Sequence, residues 1–186
     1  GIKMEATRLN NPDLIVFQPK IFSDERGFFF ESYNKKQFEK VVGHSVNFVQ
    51  DNHSFSSKGT LRGIHYQYNP YAQGKLVRVL EGEVLDVAVD LRTSSPTFGD
   101  WASVLLNGSD NKLFWIPEGF GHAFIVISET AHFLYKTTNF YNKESEQCII
   151  WNDRDLNIDW NLRNSEPLLS SKDLNGVKFS DAKYFE

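Results

Sequence analysis

The chain has 186 residues, of which 40% are hydrophobic and 24% are charged, and this predicts one domain over residues 1–186 with a sizeable core. Its formal net charge of -4 gives no indication of nucleic-acid binding. No stretch approaches the roughly 20 apolar residues of a membrane span, and no apolar leader is visible, so we expect a cytoplasmic protein.

Residues 1–3 precede Met4 and are interpreted as a cloning remnant, with the natural chain starting at Met4. The single cysteine, Cys148, cannot form an internal disulfide, and its apolar neighbours predict a core residue rather than a catalytic one. Aromatic residues make up 15% of the chain, led by 16 Phe, a composition that favours strands.

In chain order, the pattern predicts a strand over 27–33, a helix over 34–43 capped by Asn34 and ended by Gly43, and a strand over 45–50. Further strands are predicted over 62–67, 75–80, 83–91, 101–106, 113–116, 122–127, 132–137 and 146–151. Gly82 can supply the tight turn of a hairpin between the strands over 75–80 and 83–91. A short helical turn is predicted to begin at Ser170 or Ser171. The fold class is therefore all-β, a sandwich or barrel with one or two short helices.

The segment over 59–67, GTLRGIHYQ, carries a histidine within a strand. Regular alternation would place Leu61, Gly63, His65 and Gln67 on one face and Arg62 on the other. A face with His and Gln suits a barrel interior that admits a polar ligand, and a hydrogen-bonded structural histidine is an equally good interpretation.

Two further polar clusters are visible. Gln50, Asn52 and Ser54 share a parity and offer the amide and hydroxyl groups that bind sugars, although an exposed turn after a strand is the simpler interpretation. His122 opens a strand after a Pro-Glu-Gly turn. Tyr135 shares the parity of Phe133. A tyrosine in a strand is more often a core residue whose hydroxyl is hydrogen-bonded to a partner than a catalytic residue.

Several enzyme classes lack their motifs. The chain has no glycine-rich dinucleotide fingerprint, no phosphate-binding loop and no Gly-x-Ser-x-Gly elbow. The five histidines, at 44, 53, 65, 122 and 132, form no His-x-His pair with a nearby Glu. Three separated ligands could still converge in space, but nothing in the spacing indicates a metal site, and none is predicted.

Ten segments together resemble one family, the dTDP-4-dehydrorhamnose 3,5-epimerases, which act on dTDP-4-keto-6-deoxyglucose. They are DERGFFFE (24–31), QDNHS (50–54), GTLRGIHYQ (59–67), KLVRV (75–79), DVAVDLR (86–92), SPTFG (95–99), WIPEGFGH (115–122), YK (135–136), IWND (150–153) and LSSKD (169–173). The resemblance implies a cupin-like jelly-roll barrel and a homodimer whose N-terminal strand crosses to the partner. It also implies a reaction without metal or nicotinamide cofactor.

The resemblance also implies roles for individual residues. His65 would be the base with Asp173 as its charged partner, Tyr135 the acid on the other face of the sugar, and Lys75 the group near the C4 oxygen. The substrate site would be lined by Arg26, Glu31, Gln50, Asn52, Arg62, His122, Glu146 and Lys172. Because alternation sets Arg62 opposite His65, contact of both with one substrate requires a bulge or a substrate bound by the partner subunit.

These residue types suit the chemistry. A C4 ketone acidifies the hydrogens at C3 and C5, and inversion needs a base on one face and an acid on the other. Two alternatives remain: a sister enzyme on a related keto sugar, either a mono-epimerase or a 3,4-ketoisomerase, and a non-catalytic barrel that binds a sugar nucleotide. The presence of His65, Asp173, Lys75 and Tyr135 together argues against the binding protein, because binding alone needs no acid–base set.

Overall fold

The computed structural model describes residues 4–186, and most of its regular secondary structure is short strands. The strands are β1 (Glu5–Arg8), β2 (Ile15–Gln18), β3 (Phe22–Asp24), β4 (Gly27–Phe29), β5 (Gln50–Ser57), β6 (Leu61–Gln67), β7 (Lys75–Glu81), β8 (Glu83–Asp90), β9 (Trp101–Asn107), β10 (Leu113–Ile116), β11 (Phe120–Val126), β12 (Thr130–Thr137) and β13 (Glu146–Cys148). Two short α-helices, α1 (Lys35–Val42) and α2 (Ser171–Leu174), accompany them. In the described part of the chain, no helix is long and apolar enough to cross a membrane.

The strands form two main sheets. One has six strands in the order β1-β2-β10-β7-β12-β5, the other has five in the order β13-β6-β11-β8-β9, and β3 and β4 form a separate ribbon. Inward-facing side chains of both sheets, among them Val77, Phe133, Val84 and Phe124, pack into one buried cluster. This arrangement confirms the predicted jelly-roll class, in which two antiparallel sheets enclose a core.

The outer faces of the sheets are covered as well. On the six-stranded sheet, Phe38 of α1 packs with Leu76 and Trp115. On the five-stranded sheet, the C-terminal segment contributes Trp160 and Phe185 to a second buried cluster. Because both faces of this sheet are covered, nearly every residue of β8 and β11 is buried.

Strand β6 contains a β-bulge. His65 pairs with His122 and Arg62 pairs with Phe124, so Gly63 and Ile64 together face Ala123 alone. The extra residue reverses the alternation, and Arg62 and His65 therefore point into the space between the sheets while Leu61, Ile64 and Tyr66 pack outside. The predicted grouping of Leu61 with His65 is wrong for this reason. Contact of Arg62 and His65 with one substrate was predicted to require either a bulge or a substrate bound by the partner subunit, and the structure shows the bulge.

Glycine is required at the bulge. Gly63 has a φ of +136°, and a Cβ there would lie 2.4 Å from the Cβ of Ala123. The backbones of β6 and β11 approach too closely for any side chain.

The predicted hairpin over 75–80 and 83–91 is wrong. β7 pairs with β10 and β12, whereas β8 pairs with β9 and β11 in the other sheet. Gly82, with a φ of +95°, turns the chain from one sheet into the other. The residues around Gly82 indicate a tight turn. Whether the two flanking strands pair with each other or enter different sheets depends on other strands that are distant in sequence.

Other predicted elements differ at their ends or in kind. Residues 45–49 form no strand because Val46 and Phe48 pack around Phe38 and the Val46 N–H donates to the Glu39 carboxylate. The strand predicted over 27–33 ends at Phe29, and the one over 146–151 ends at Cys148. β1, β2 and β3, of three or four residues each, were not predicted.

Both predicted helices are confirmed. The Asn34 side chain accepts the N–H of Gln37, and Gly43 ends α1 in the left-handed region. Ser170 caps α2 by accepting the N–H of Asp173. The interpretation of residues 1–3 as a cloning remnant falls outside the described residues, and the single-domain organisation stays a prediction.

Candidate active site

Polar side chains collect between the two sheets because strand alternation turns them inward. Gln50, Asn52 and Ser54 face inward from β5, as do Lys75 from β7 and Tyr135 from β12. From the five-stranded sheet, the inward residues of β6, β8 and β11 include Arg62, His65, Asp86 and His122. The interpretation of residues 50–54 as an exposed turn is therefore wrong, since Gln50 begins β5.

His65 and Asp173 form a close pair. The distance from His65 Nε2 to Asp173 Oδ1 is 2.5 Å, and the Gly63 N–H donates to Asp173 Oδ2 at 3.3 Å. Asp173 is buried at the start of α2, whereas 28% of the His65 side chain is exposed. Within the described chain, His65 Nδ1 has no protein partner. The carboxylate thus fixes the ring and leaves Nδ1 free to exchange a proton with a ligand.

The pKa of Asp173 reflects opposing effects. Burial acts to raise this pKa, but the hydrogen bond and charge of His65, with the Gly63 N–H, outweigh burial and leave it below its ordinary value. Asp173 is therefore a carboxylate at neutral pH and can stabilise a protonated imidazole.

Lys75 is a buried amine on the opposite sheet. Burial lowers the pKa of Lys75 to about 8, although the charges of Asp86 and Glu146 act against the shift. Its Nζ lies 5.5 Å from the centroid of the Tyr135 ring. A cation held in this water-poor space is suited to stabilise a developing negative charge on a bound substrate.

His122 and Asp86 form a second imidazole–carboxyl pair. His122 Nε2 lies 2.8 Å from Asp86 Oδ2, and both residues are buried. Burial raises the pKa of Asp86 and lowers that of His122, and each shift favours the uncharged form. Asp86 Oδ1 is buried without a hydrogen-bond partner in the described chain. Sequence reasoning missed Asp86, and its signal was an acid placed between apolar residues in β8.

Tyr135 lies on the six-stranded sheet, opposite the sheet that carries His65. Burial raises the pKa of Tyr135, and the side-chain hydrogen bond with Asn52 only partly opposes this shift. The phenol is therefore protonated at neutral pH and is able to donate a proton or a hydrogen bond.

The outer part of the same space carries exposed charges. Arg62 donates through Nε to Ser56 Oγ at 3.0 Å, which leaves its terminal nitrogens available. Lys172 pairs with Glu146, and the Tyr141 hydroxyl donates to Glu146 at 2.7 Å. Glu146 faces Gln67 across the β13–β6 pairing and so lies on the side of His65. Tyr141 was another residue that sequence reasoning missed.

Two predicted site residues lie outside this constellation. Arg26 is on the β3–β4 ribbon with 86% of its side chain exposed, and in residues 4–186 it bonds only Asp24. Glu31 follows the ribbon and accepts a hydrogen bond from Asn34. The single chain therefore leaves Arg26 and Glu31 apart from the site. It brings together the other ten predicted residues, which are His65, Asp173, Tyr135, Lys75, Gln50, Asn52, Arg62, His122, Glu146 and Lys172.

Comparison with known proteins identifies the family. Residues 8–181 match the family described as dTDP-4-dehydrorhamnose 3,5-epimerase. A protein of that name from Shigella flexneri is 58% identical over 182 residues, which are 98% of this chain and 99% of the relative.

Two solved structures share the fold. The dTDP-6-deoxy-D-glucose-3,5-epimerase from Legionella pneumophila, in complex with dTDP-4-keto-L-rhamnose, is 48% identical with a TM-score of 0.93 over 97% of this chain and 95% of that one. A 3'-monoepimerase from Streptomyces bikiniensis, in complex with dTDP-quinovose, is 34% identical with a TM-score of 0.87 over 93% and 87% of the two chains. The near-complete coverage at high identity shows that the chain belongs to the dTDP-4-dehydrorhamnose 3,5-epimerase family, whose members are isomerases.

Proposed function

We propose that the protein inverts C3 and C5 of dTDP-4-keto-6-deoxyglucose to give dTDP-4-keto-L-rhamnose, a step of dTDP-L-rhamnose biosynthesis. The observation that carries the proposal is the placement of an imidazole–carboxylate pair, His65 and Asp173, on one sheet and a phenol, Tyr135, on the other. A sugar ring between the sheets would then have a base on one face and an acid on the other, as inversion requires.

Proton removal is assigned to His65. The free Nδ1 takes the proton from C3 or C5, and the Asp173 carboxylate stabilises the resulting imidazolium through Nε2. A positioned general base of this kind contributes roughly 10²–10⁴-fold to a rate.

The electrons released from the C–H bond move to the C4 oxygen, which becomes an enolate. We assign its stabilisation to Lys75, helped by the buried imidazole of His122. A positive charge already held in a buried site stabilises such an oxygen more than it would in water. Tyr135 then returns a proton to the opposite face. The resulting phenolate takes a proton from solvent, and the His65 imidazolium releases its proton to solvent, which restores both groups.

The nucleotide diphosphate is assigned to the exposed cations. Arg62 and Lys172 lie at the outer side of the polar space, where charge-assisted bonds to phosphate oxygens can form. Gln50, Asn52 and Glu146 offer polar groups to the sugar or the base.

We further propose a homodimer in which the site of each subunit is completed by its partner. Arg26, Phe28 and Phe29 stand exposed on the β3–β4 ribbon, with 64% and 66% exposure for the two aromatics. β1 lies at the edge of the six-stranded sheet with all four of its residues exposed. Exchange of the N-terminal strand stays a prediction, because β1 pairs with β2 within the single chain. The cytoplasmic location and the cofactor-free reaction also stay predictions.

The closest competitor is a sister enzyme, because the 3'-monoepimerase shares the fold at 34% identity. The discriminating experiment is incubation with dTDP-4-keto-6-deoxyglucose in D₂O, followed by NMR analysis of deuterium at C3 and C5. We expect deuterium at both carbons and a product that a 4-keto reductase accepts. Label at one carbon would favour the mono-epimerase, a shifted ketone would favour the ketoisomerase, and no exchange would favour the binding barrel.

A further inference from the structure

Cys148 lies against the His65–Asp173 pair although the proposed reaction does not use it. Its Sγ is 3.7 Å from Asp173 Oδ1, and it faces His65 directly across the β13–β6 pairing. The donor atoms of His65, Cys148 and Asp173 all lie within 4.8 Å of one another. Among the described residues they form a nitrogen, sulfur and oxygen set of the kind that binds zinc.

The backbone around these three residues is well fixed. Ile149 donates to Ile64 at 2.9 Å, and Val177 donates to the Cys148 carbonyl at 2.9 Å. Asp173 is held in addition by the Gly63 N–H. Because these bonds join β6, β13 and the segment after α2, the three donors are brought together before any ion arrives.

We propose that His65, Cys148 and Asp173 form a Zn²⁺ site whose occupation switches off the enzyme. Zinc bonds of about 2.0–2.3 Å in a tetrahedron separate the donor atoms by roughly 3.3–3.6 Å. The distance of 3.7 Å between Cys148 Sγ and Asp173 Oδ1 already fits. The distance of 2.5 Å between His65 Nε2 and Asp173 Oδ1 must widen by about 1 Å. Rotation of the partly exposed His65 side chain provides this change.

Binding of the ion releases one proton to solvent, from the Cys148 thiol, as the metal–sulfur bond forms. The ring proton of His65 moves from Nε2 to Nδ1, so that Nε2 binds the ion as part of a neutral imidazole. Three protein ligands leave the fourth position to water. His65 is then ligated through Nε2 and has lost its carboxylate partner. The inhibition therefore rests on the proposed role of His65 as the base, whereas binding of the metal does not.

The donor set also determines which ions bind. Mg²⁺ and Ca²⁺ require several oxygen ligands, and this site offers one carboxylate beside sulfur and nitrogen. We expect Zn²⁺ and Co²⁺ to bind and Mg²⁺ to have no effect. The surface pair His53 and His132, whose nitrogens are 2.9 Å apart, is the competing zinc site that the experiment must separate.

Binding is tested with Co²⁺ and the full chain in the absence of substrate. We expect an intense thiolate-to-cobalt charge-transfer band that Zn²⁺ removes and Mg²⁺ does not. The band should be absent in both Cys148→Ala and Cys148→Ser. If one of these variants fails to fold, the other still provides the test. The band should be unchanged in the matched control His132→Ala. A band that persists without Cys148, or a wild-type protein without the band, would overturn the site.

Inhibition is tested separately by epimerase turnover under increasing ZnCl₂. Loss of the thiolate ligand should raise the half-inhibitory Zn²⁺ concentration by roughly tenfold or more, since even the loss of an outer partner costs that much. Turnover without added metal should be unchanged in Cys148→Ala. Equal Zn²⁺ sensitivity of the two proteins would overturn the inhibitory role. If the cobalt band forms in a chain without epimerase activity, the metal site stands and the proposed function fails.

Discussion

Replacement of Asp173 by asparagine tests the central pair while keeping its shape. The asparagine oxygen can still accept the Gly63 N–H, which lies 3.3 Å from Asp173 Oδ2. Its amide NH₂ would then donate to His65 Nε2, the atom that now lies 2.5 Å from the carboxylate. Such a donor forces the ring proton onto Nδ1, so the nitrogen that should take the substrate proton is already protonated.

The expected loss follows from these two changes. The base is held in the wrong tautomer, and the imidazolium has lost its carboxylate. A general base contributes on the order of 10²–10⁴-fold, so we expect turnover to fall by about 10³-fold, equivalent to about 4 kcal/mol of activation free energy. The free energy of unfolding should fall by only about 1 kcal/mol, because the Gly63 bond remains.

The assay measures deuterium incorporation and product formation by NMR under single-turnover conditions. Both should fall together, because proton removal precedes each of them. The matched control is Asp181→Asn, an exposed carboxylate in the same C-terminal part of the chain, which should behave as wild type. Turnover of Asp173→Asn within about threefold of wild type would refute the assignment of His65 and Asp173 as a catalytic pair.

Three further expectations follow from the cited geometry. Tyr135→Phe should reduce epimerisation more than solvent exchange, as seen by NMR in D₂O, and equal losses would contradict the acid role. Lys75→Met should lower turnover. Because burial lowers the pKa of Lys75 to about 8, the activity of the wild type should decline as pH rises through that value, and the pH profile of the variant should lack this decline. Burial acts to raise the pKa of Asp90, but hydrogen bonds from Arg92, Ser95 and Thr97 outweigh this effect and lower the pKa to about 2. Its stabilising contribution should therefore be full above the unfolded value and vanish as pH falls towards 2; acid unfolding of Asp90→Asn, compared with wild type, measures this difference.

The parts of the structure that could be predicted from sequence are those set by local rules. The caps of α1 and α2 and the alternation along β5 and β12 are properties of a few neighbouring residues, and the structure confirms them. Cys148 shows where such rules end. Its neighbours predicted a core thiol, and burial does raise its pKa to about 12, with the Asp173 charge adding to the shift. Its position beside His65 depends on the β13–β6 pairing, which no local pattern specifies.

Gly63 shows how the orientation of side chains can be predicted wrongly in a strand that is itself predicted correctly. An alternating pattern is read correctly only while each residue on a strand faces one residue on its neighbour, and here two residues face Ala123. The one extra residue at the bulge puts Arg62 on the same face of β6 as His65 and puts Leu61 on the outer face. Regular alternation across the bulge therefore predicts the wrong face for residues on one side of it. The sequence contains a signal for it, a glycine between an arginine and an isoleucine in an otherwise well-formed strand. A glycine in a strand indicates that another backbone lies close to it, but it does not indicate which one. In the structure, Gly63 lies close to Ala123 and to the carbonyl of His122. The bulge thus brings a diphosphate-binding candidate and the proposed base onto one face, which a regular strand of the same composition would keep apart.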